Sequence, residues 1–155
     1  YQWMFFKSAL DAGLADFAYR IADTALTLWQ NECTESYCCF EHFMIESRRG
    51  AGWHQFSGLS SPIVQWFSAY YRPGTLTTGF DTFVRHTDWA PDNSTLNATL
   101  DFTAAGRSTV LAVLQPGPKA VTASVPCTVV TRHDGLLELT FALDAPCTVT
   151  ISIHP

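Results

Sequence analysis

The distribution of aromatic residues most constrains what this chain can fold into. Of 21 Phe, Trp and Tyr side chains, 19 lie within residues 1–89, and only Phe102 and Phe141 lie beyond. The last 65 residues hold ten Thr and seven Val instead, in short alternating runs. A composition shift of this kind, next to the turn-forming cluster Pro91-Asp92-Asn93, predicts a boundary there. Residues 1–92 are expected to be mainly helix and loop, and residues 93–155 to be β.

The helical half carries two amphipathic stretches. Between Trp3 and Gln30, Leu14, Phe17, Ala18, Ile21, Ala25 and Leu28 recur at intervals of three and four, with Asp11, Asp16, Arg20 and Asp23 opposite. Gly13 is the weak point of that helix. A second helix is expected after Ser60-Ser61-Pro62, since Ser is a good N-cap and Pro is tolerated at the first helical position. It runs through Ile63, Val64, Trp66, Phe67 and Tyr70 to the stop signal Arg72-Pro73-Gly74. This stretch is apolar around most of its circumference and so calls for protein on several sides, with Trp66 and Phe67 in the core. Two helices cannot close a helical domain. Residues 1–92 are therefore expected to be the C-terminal portion of a larger one, and Thr75–Asp92 a connector anchored by Phe80, Phe83 and Trp89.

Beyond residue 92, Leu96, Ala98, Leu100 and Phe102 alternate with polar residues. Runs at 110–114, 121–125, 127–131, 137–143 and 147–153 follow, separated by Pro/Gly turns, with Asp134-Gly135 as the strongest hairpin signal. Five or six short strands predict a small antiparallel β-sandwich.

Charge and hydropathy exclude other classes. Net charge is −5, from 14 acidic and nine basic residues, which argues against a nucleic-acid partner. No apolar run approaches the ~18 residues that span a bilayer, so no membrane partner is expected. The five His lack metal-ligand spacing, and no metal or other cofactor is expected. Of the five Cys, Cys127 and Cys147 stand at expected strand starts and could be bridged; Cys33 with Cys38 or Cys39 is a second possibility. Two N-x-S/T sequons, at Asn93 and Asn97, together with a possible bridge, point to a secreted or lumenal protein.

Chemistry concentrates in residues 29–62. This stretch holds Glu32, Glu35, Glu41 and Glu46 with Arg48, Arg49, His42, Trp53, His54 and Gln55, and aromatic residues are interleaved throughout. Carboxylates beside aromatic rings suit a sugar site: rings stack on apolar sugar faces, and carboxylates hold hydroxyls or activate water. A solvated cluster of salt bridges is the competing reading.

The order Glu41-His42-Phe43, Gly50-Ala51-Gly52, then Gln55-Phe56-Ser57-Gly58-Leu59-Ser60 before an apolar helix resembles the end of an (α/α)6-barrel glycoside hydrolase. The similarity is to the clan of glycoside hydrolase family 63, the trehalases and the mannosylglycerate-hydrolase-like domains. Two positions depart from the family pattern: His42 stands where Asn is usual, and Gly58 where Trp is usual. The resemblance implies an α+β chain, in which the terminal helices and active-site loop of an (α/α)6 toroid precede the sandwich. It implies an inverting enzyme acting on oligosaccharides or glycosides, with Glu41 as general base. Glu46 is the rival base. Trp53, Gln55, His42, His54, Glu46 and Arg48 become candidate substrate contacts, with Arg48, Arg49 and His42 keeping the base ionised. No residue matches the family's general acid, so the fragment alone is expected to be inactive and to need the missing N-terminal part of the same enzyme. The alternative from another class is a carbohydrate-associated β-sandwich, binding or structural, without catalytic activity.

Overall fold

The structure, a computed structural model of the 155-residue chain, describes residues 1–55 and 57–155, with the backbone alone for 57–60. Phe56, part of the family-like motif, lies outside the described residues, as do the side chains of Ser57, Gly58, Leu59 and Ser60.

The chain is α+β. Helices α1 (Gln2–Asp11) and α2 (Ala15–Ser36) are followed by a small hairpin, β1 (Phe40–Phe43) with β2 (Gly50–His54), and then by α3 (Ser57–Tyr71). Eight further strands complete it: β3 (Thr75–Thr77), β4 (Thr82–Trp89), β5 (Leu96–Phe102), β6 (Gly106–Val113), β7 (Ala120–Ala123), β8 (Cys127–His133), β9 (Leu136–Leu143) and β10 (Cys147–His154).

Gly13 divides the expected first helix, with φ +67° at the break between α1 and α2. Its lack of a side chain serves a second purpose, because a Cβ there would sit 2.6 Å from Arg107 Cβ at the start of β6. α2 runs six residues further than expected and ends in the left-handed Tyr37. Hydroxyls of Thr34 and Ser36 donate to the carbonyls of Gln30 and Glu32 along its last turns. α3 begins upstream of its expected Ser-Ser-Pro start and carries Pro62 inside it.

The eight strands make two antiparallel four-stranded sheets, ordered β4-β5-β10-β7 and β3-β6-β9-β8. Segment 75–92 therefore differs from the expected connector. It supplies an edge strand to each sheet: β3 pairs with β6, and β4 with β5. Of the expected anchors, Trp89 packs on the sandwich core, whereas Phe80 and Phe83 are exposed. The strands downstream of residue 92 form where alternation predicted them.

Leu96, Leu100, Val110, Leu139, Phe141, Val149 and Ile153 fill the space between the sheets. A second core lies outside the β3-β6-β9-β8 sheet, where Phe6, Leu10, Ala18, Ala22, Trp66 and Tyr70 meet Leu111, Val113 and Leu136. β6 is thus buried on both faces, alternately feeding Val110 and Ala112 to one core and Leu111 and Val113 to the other. Edge-to-face contacts of Phe6 with Trp66 and Tyr70, at 6.2 and 6.0 Å, tie α1 to α3.

One polar group is sunk into this second interface. Glu138, 2% exposed on β9, accepts from Arg132 Nε at 2.6 Å and Nη2 at 2.9 Å. The same guanidinium reaches Asp16 on α2 and stacks over the Tyr19 ring, 4.6 Å from its centroid. Sandwich and helical layer are therefore joined by an ion pair as well as by apolar packing.

The covered face of each helix is narrower than the sequence pattern predicted. Ala18 and Ala22 carry the buried side of α2, while Leu14 and Phe17 remain exposed. On α3, Ile63, Trp66, Ala69 and Tyr70 are buried, but Val64 and Phe67 are exposed, the latter against expectation.

Candidate functional site

The β1–β2 hairpin projects from the C-terminal end of α2. It is held there by Glu32, which is 4% exposed. The Glu32 carboxylate accepts from Arg49 Nε at 2.9 Å, Arg49 Nη2 at 3.2 Å and the Gly50 N–H at 2.8 Å. Arg49 Nη1 also reaches Glu35 at 2.8 Å. Hydrogen bonds from Arg49, and next from the Gly50 amide, hold the Glu32 carboxyl down to about 2. Arg49, expected to serve the catalytic base, is instead occupied with Glu32 and Glu35.

This clamp has a pH signature. The folded-state value lies below the ordinary 4.5, so the ionised carboxylate favours the docked hairpin. The contribution is complete above pH 4.5 and is lost as pH falls toward 2. The protection factor of the Gly50 amide should fall across that window. In Glu32→Gln it should be low at every pH; a variant that keeps full protection near neutrality would show that the clamp is not what docks the hairpin.

Glu41 occupies the irregular point of the hairpin. Phe40 pairs with His54 and His42 with Ala51, so Glu41 alone faces Gly52 and Trp53. A bulge of this kind re-aims a side chain. Glu41 Oε2 lies 3.5 Å from the Trp53 N–H. Gly52, at φ +84°, makes the approach possible: a Cβ there would stand 2.7 Å from Glu41 Oε2 and 3.0 Å from His42 Nδ1. The Gly-Ala-Gly segment thus has a local purpose, since a Cβ at Gly50 would likewise strike the Phe40 ring at 2.1 Å.

The structure gathers Glu41, His42 and Trp53 around Gly52, and all three side chains are exposed. His54 is exposed and meets the Phe40 ring at 5.1 Å. Gln55, also exposed, has φ +57° and donates its N–H to Cys38 Sγ at 3.4 Å. Glu46 and Arg48 lie in the connecting turn, which is closed by Arg48 N–H to Met44 O at 2.9 Å. Among the described residues neither of them, nor Glu41, joins an ion pair. The anchoring role of Glu32 had a sequence signal only as a possible partner of a nearby Arg.

Elsewhere, a shallow depression on the outer face of β4-β5-β10-β7 is lined by His86, Asn97, Thr99, Thr122, Thr150 and Ser152. It lacks the Trp, Tyr or Phe face on which a sugar ring would stack. Among the described residues no group of three or more His, Cys, Asp or Glu is placed to hold a metal ion. Among them, too, no helix is long and apolar enough to cross a membrane.

Fold and site together define an α+β chain: a β-sandwich faced on one side by three helices, which present an acidic-aromatic hairpin. No family model, curated protein or solved structure matches it.

Proposed function

We propose that this chain is the C-terminal part of an inverting glycoside hydrolase of the (α/α)6-barrel type, acting on oligosaccharides or glycosides, with Glu41 as the general base. The observation that carries the reading is the division of labour among the carboxylates. Glu32 and Glu35 are consumed by Arg49, whereas Glu41 sits at a bulge, exposed, beside the exposed Trp53.

In an inverting reaction the base removes a proton from water as that water attacks the anomeric carbon. A second carboxyl group, about 6.5–9.5 Å away, protonates the departing oxygen. Glu41 serves the first step, and Trp53 offers a face for the sugar ring. His42, His54, Gln55, Glu46 and Arg48 surround the same hairpin as polar contacts. The acid and the walls that exclude water come from the remainder of the barrel, because Glu41 on this chain stands open to solvent. Met4, Phe5, Leu14, Phe17, Val64 and Phe67, all exposed, are the side chains those upstream helices would cover. The sandwich is a brace, sharing its second core with the helical layer.

The test compares residues 1–155 with the same chain extended through its upstream reading frame, on a panel of glycosides, with the product anomer followed by proton NMR. The extended protein is expected to release the inverted anomer, and residues 1–155 to release none. A retained anomer, or turnover by residues 1–155 alone, would overturn the reading.

A further inference from the structure

We propose that Cys127 and Cys147 form a disulfide that staples the two sheets of the sandwich, independently of any catalytic role. All five cysteines are thiols in the structure, and these two are partly buried against the sandwich core.

Two strand registers and one ring contact place them at one level, on the two inner faces of the sandwich. Cys147 pairs across β10–β5 with Phe102, and Cys127 pairs across β8–β9 with Phe141. Residues directly opposite in an antiparallel pair point to the same side, so each thiol faces inward beside its Phe. The two rings meet across the sandwich at 5.2 Å, which puts the Cys-bearing ends of the two sheets at the same height.

The chain path gives the same answer. Ala123 of β7 pairs with Ile151 of β10. Four residues onward from Ala123 is Cys127, and four residues back from Ile151 is Cys147. Had β7 continued, the two would be direct partners. Instead the chain bends at Ser124-Val125-Pro126 and carries Cys127 into the facing sheet as the first residue of β8. β8 is an edge strand, and β10 is one strand in from the β7 edge. Each Cys follows a Pro and opens its strand in the sequence Pro-Cys-Thr-Val.

The chemistry is thiol–disulfide exchange with a small-molecule disulfide such as oxidised glutathione. The thiolate of one Cys attacks the reagent's S–S bond and expels one thiolate. The other Cys thiolate then displaces the second, so two protein thiols lose two protons and two electrons and two glutathione thiols form. Burial pushes the Cys127 thiol up, which lowers its thiolate fraction in the folded chain.

The full 155-residue chain is refolded in a reduced/oxidised glutathione buffer, alkylated in denaturant and digested without reductant. Mass spectrometry should find one cross-linked pair containing Cys127 and Cys147, lighter by two hydrogens than the separate peptides. Reductant should then lower the melting temperature by roughly 5–10 °C, and should not do so in Cys127→Ser/Cys147→Ser. Alkylation of both residues after oxidative refolding, or a link from either to Cys33, Cys38 or Cys39, would overturn the proposal.

Discussion

If the chain is the glycoside hydrolase part proposed above, Glu41→Gln in the chain extended through its upstream reading frame should lower kcat by a factor of about 10²–10⁴. The change should leave the melting temperature within about 2 °C, as expected for an exposed position. The amide has the shape of the carboxylate, and its oxygen can still accept from the Trp53 N–H, so the bulge is kept. It cannot take a proton from water, so the attacking nucleophile is not generated. Glu46→Gln is the paired control: Glu46 lies in the turn beyond β1 and should change kcat less than tenfold. An active Glu41→Gln enzyme would end the assignment, and loss of activity in Glu46→Gln instead would move the base to that residue.

A second large effect is expected far from the hairpin. Arg132→Met removes both donors to Glu138, which is 2% exposed between the sheet and the helices. Breaking a buried pair from one side leaves a carboxylate without compensation and costs about 3 kcal/mol. For a chain of this length that is a fall of about 6–12 °C in melting temperature. The double variant Arg132→Met/Glu138→Met removes the stranded charge and should recover most of the loss, since apolar replacement of a buried pair is often neutral. Asp16 is 89% exposed, so its link to Arg132 is screened, and Asp16→Asn should shift the midpoint by no more than about 2 °C. A single variant that melts like the parent, or a double variant no better than the single, would show that the pair does not hold the layers together.

Much of the candidate site could be named from the sequence but not arranged. The carboxylates, rings and cations of residues 29–62 were identifiable from composition and from the family-like motif. Their pairing was not. Arg49 chooses Glu32, 17 residues away, because α2 continues to Ser36 and brings that carboxylate against the hairpin. Neither that contact nor the back-bonding of the Thr34 and Ser36 hydroxyls to the carbonyls of Gln30 and Glu32 has a periodic signature. Gly52 became meaningful only when the bulge set its backbone against the Glu41 carboxylate.

By itself the sequence determined the strands from Leu96 to His154, the Asp134-Gly135 turn and the break at Gly13. Side-chain alternation and glycine's tolerance of positive φ are patterns carried by a few neighbouring residues, so they are legible although the strands they mark pair with segments far along the chain. Only the tertiary structure decided that Thr75–Thr77 and Thr82–Trp89 become sheet edges, that Ala18 rather than Phe17 faces the core, and that Cys127 comes level with Cys147. Those outcomes depend on which surfaces meet, and the free energy that selects them is shared between residues tens of positions apart.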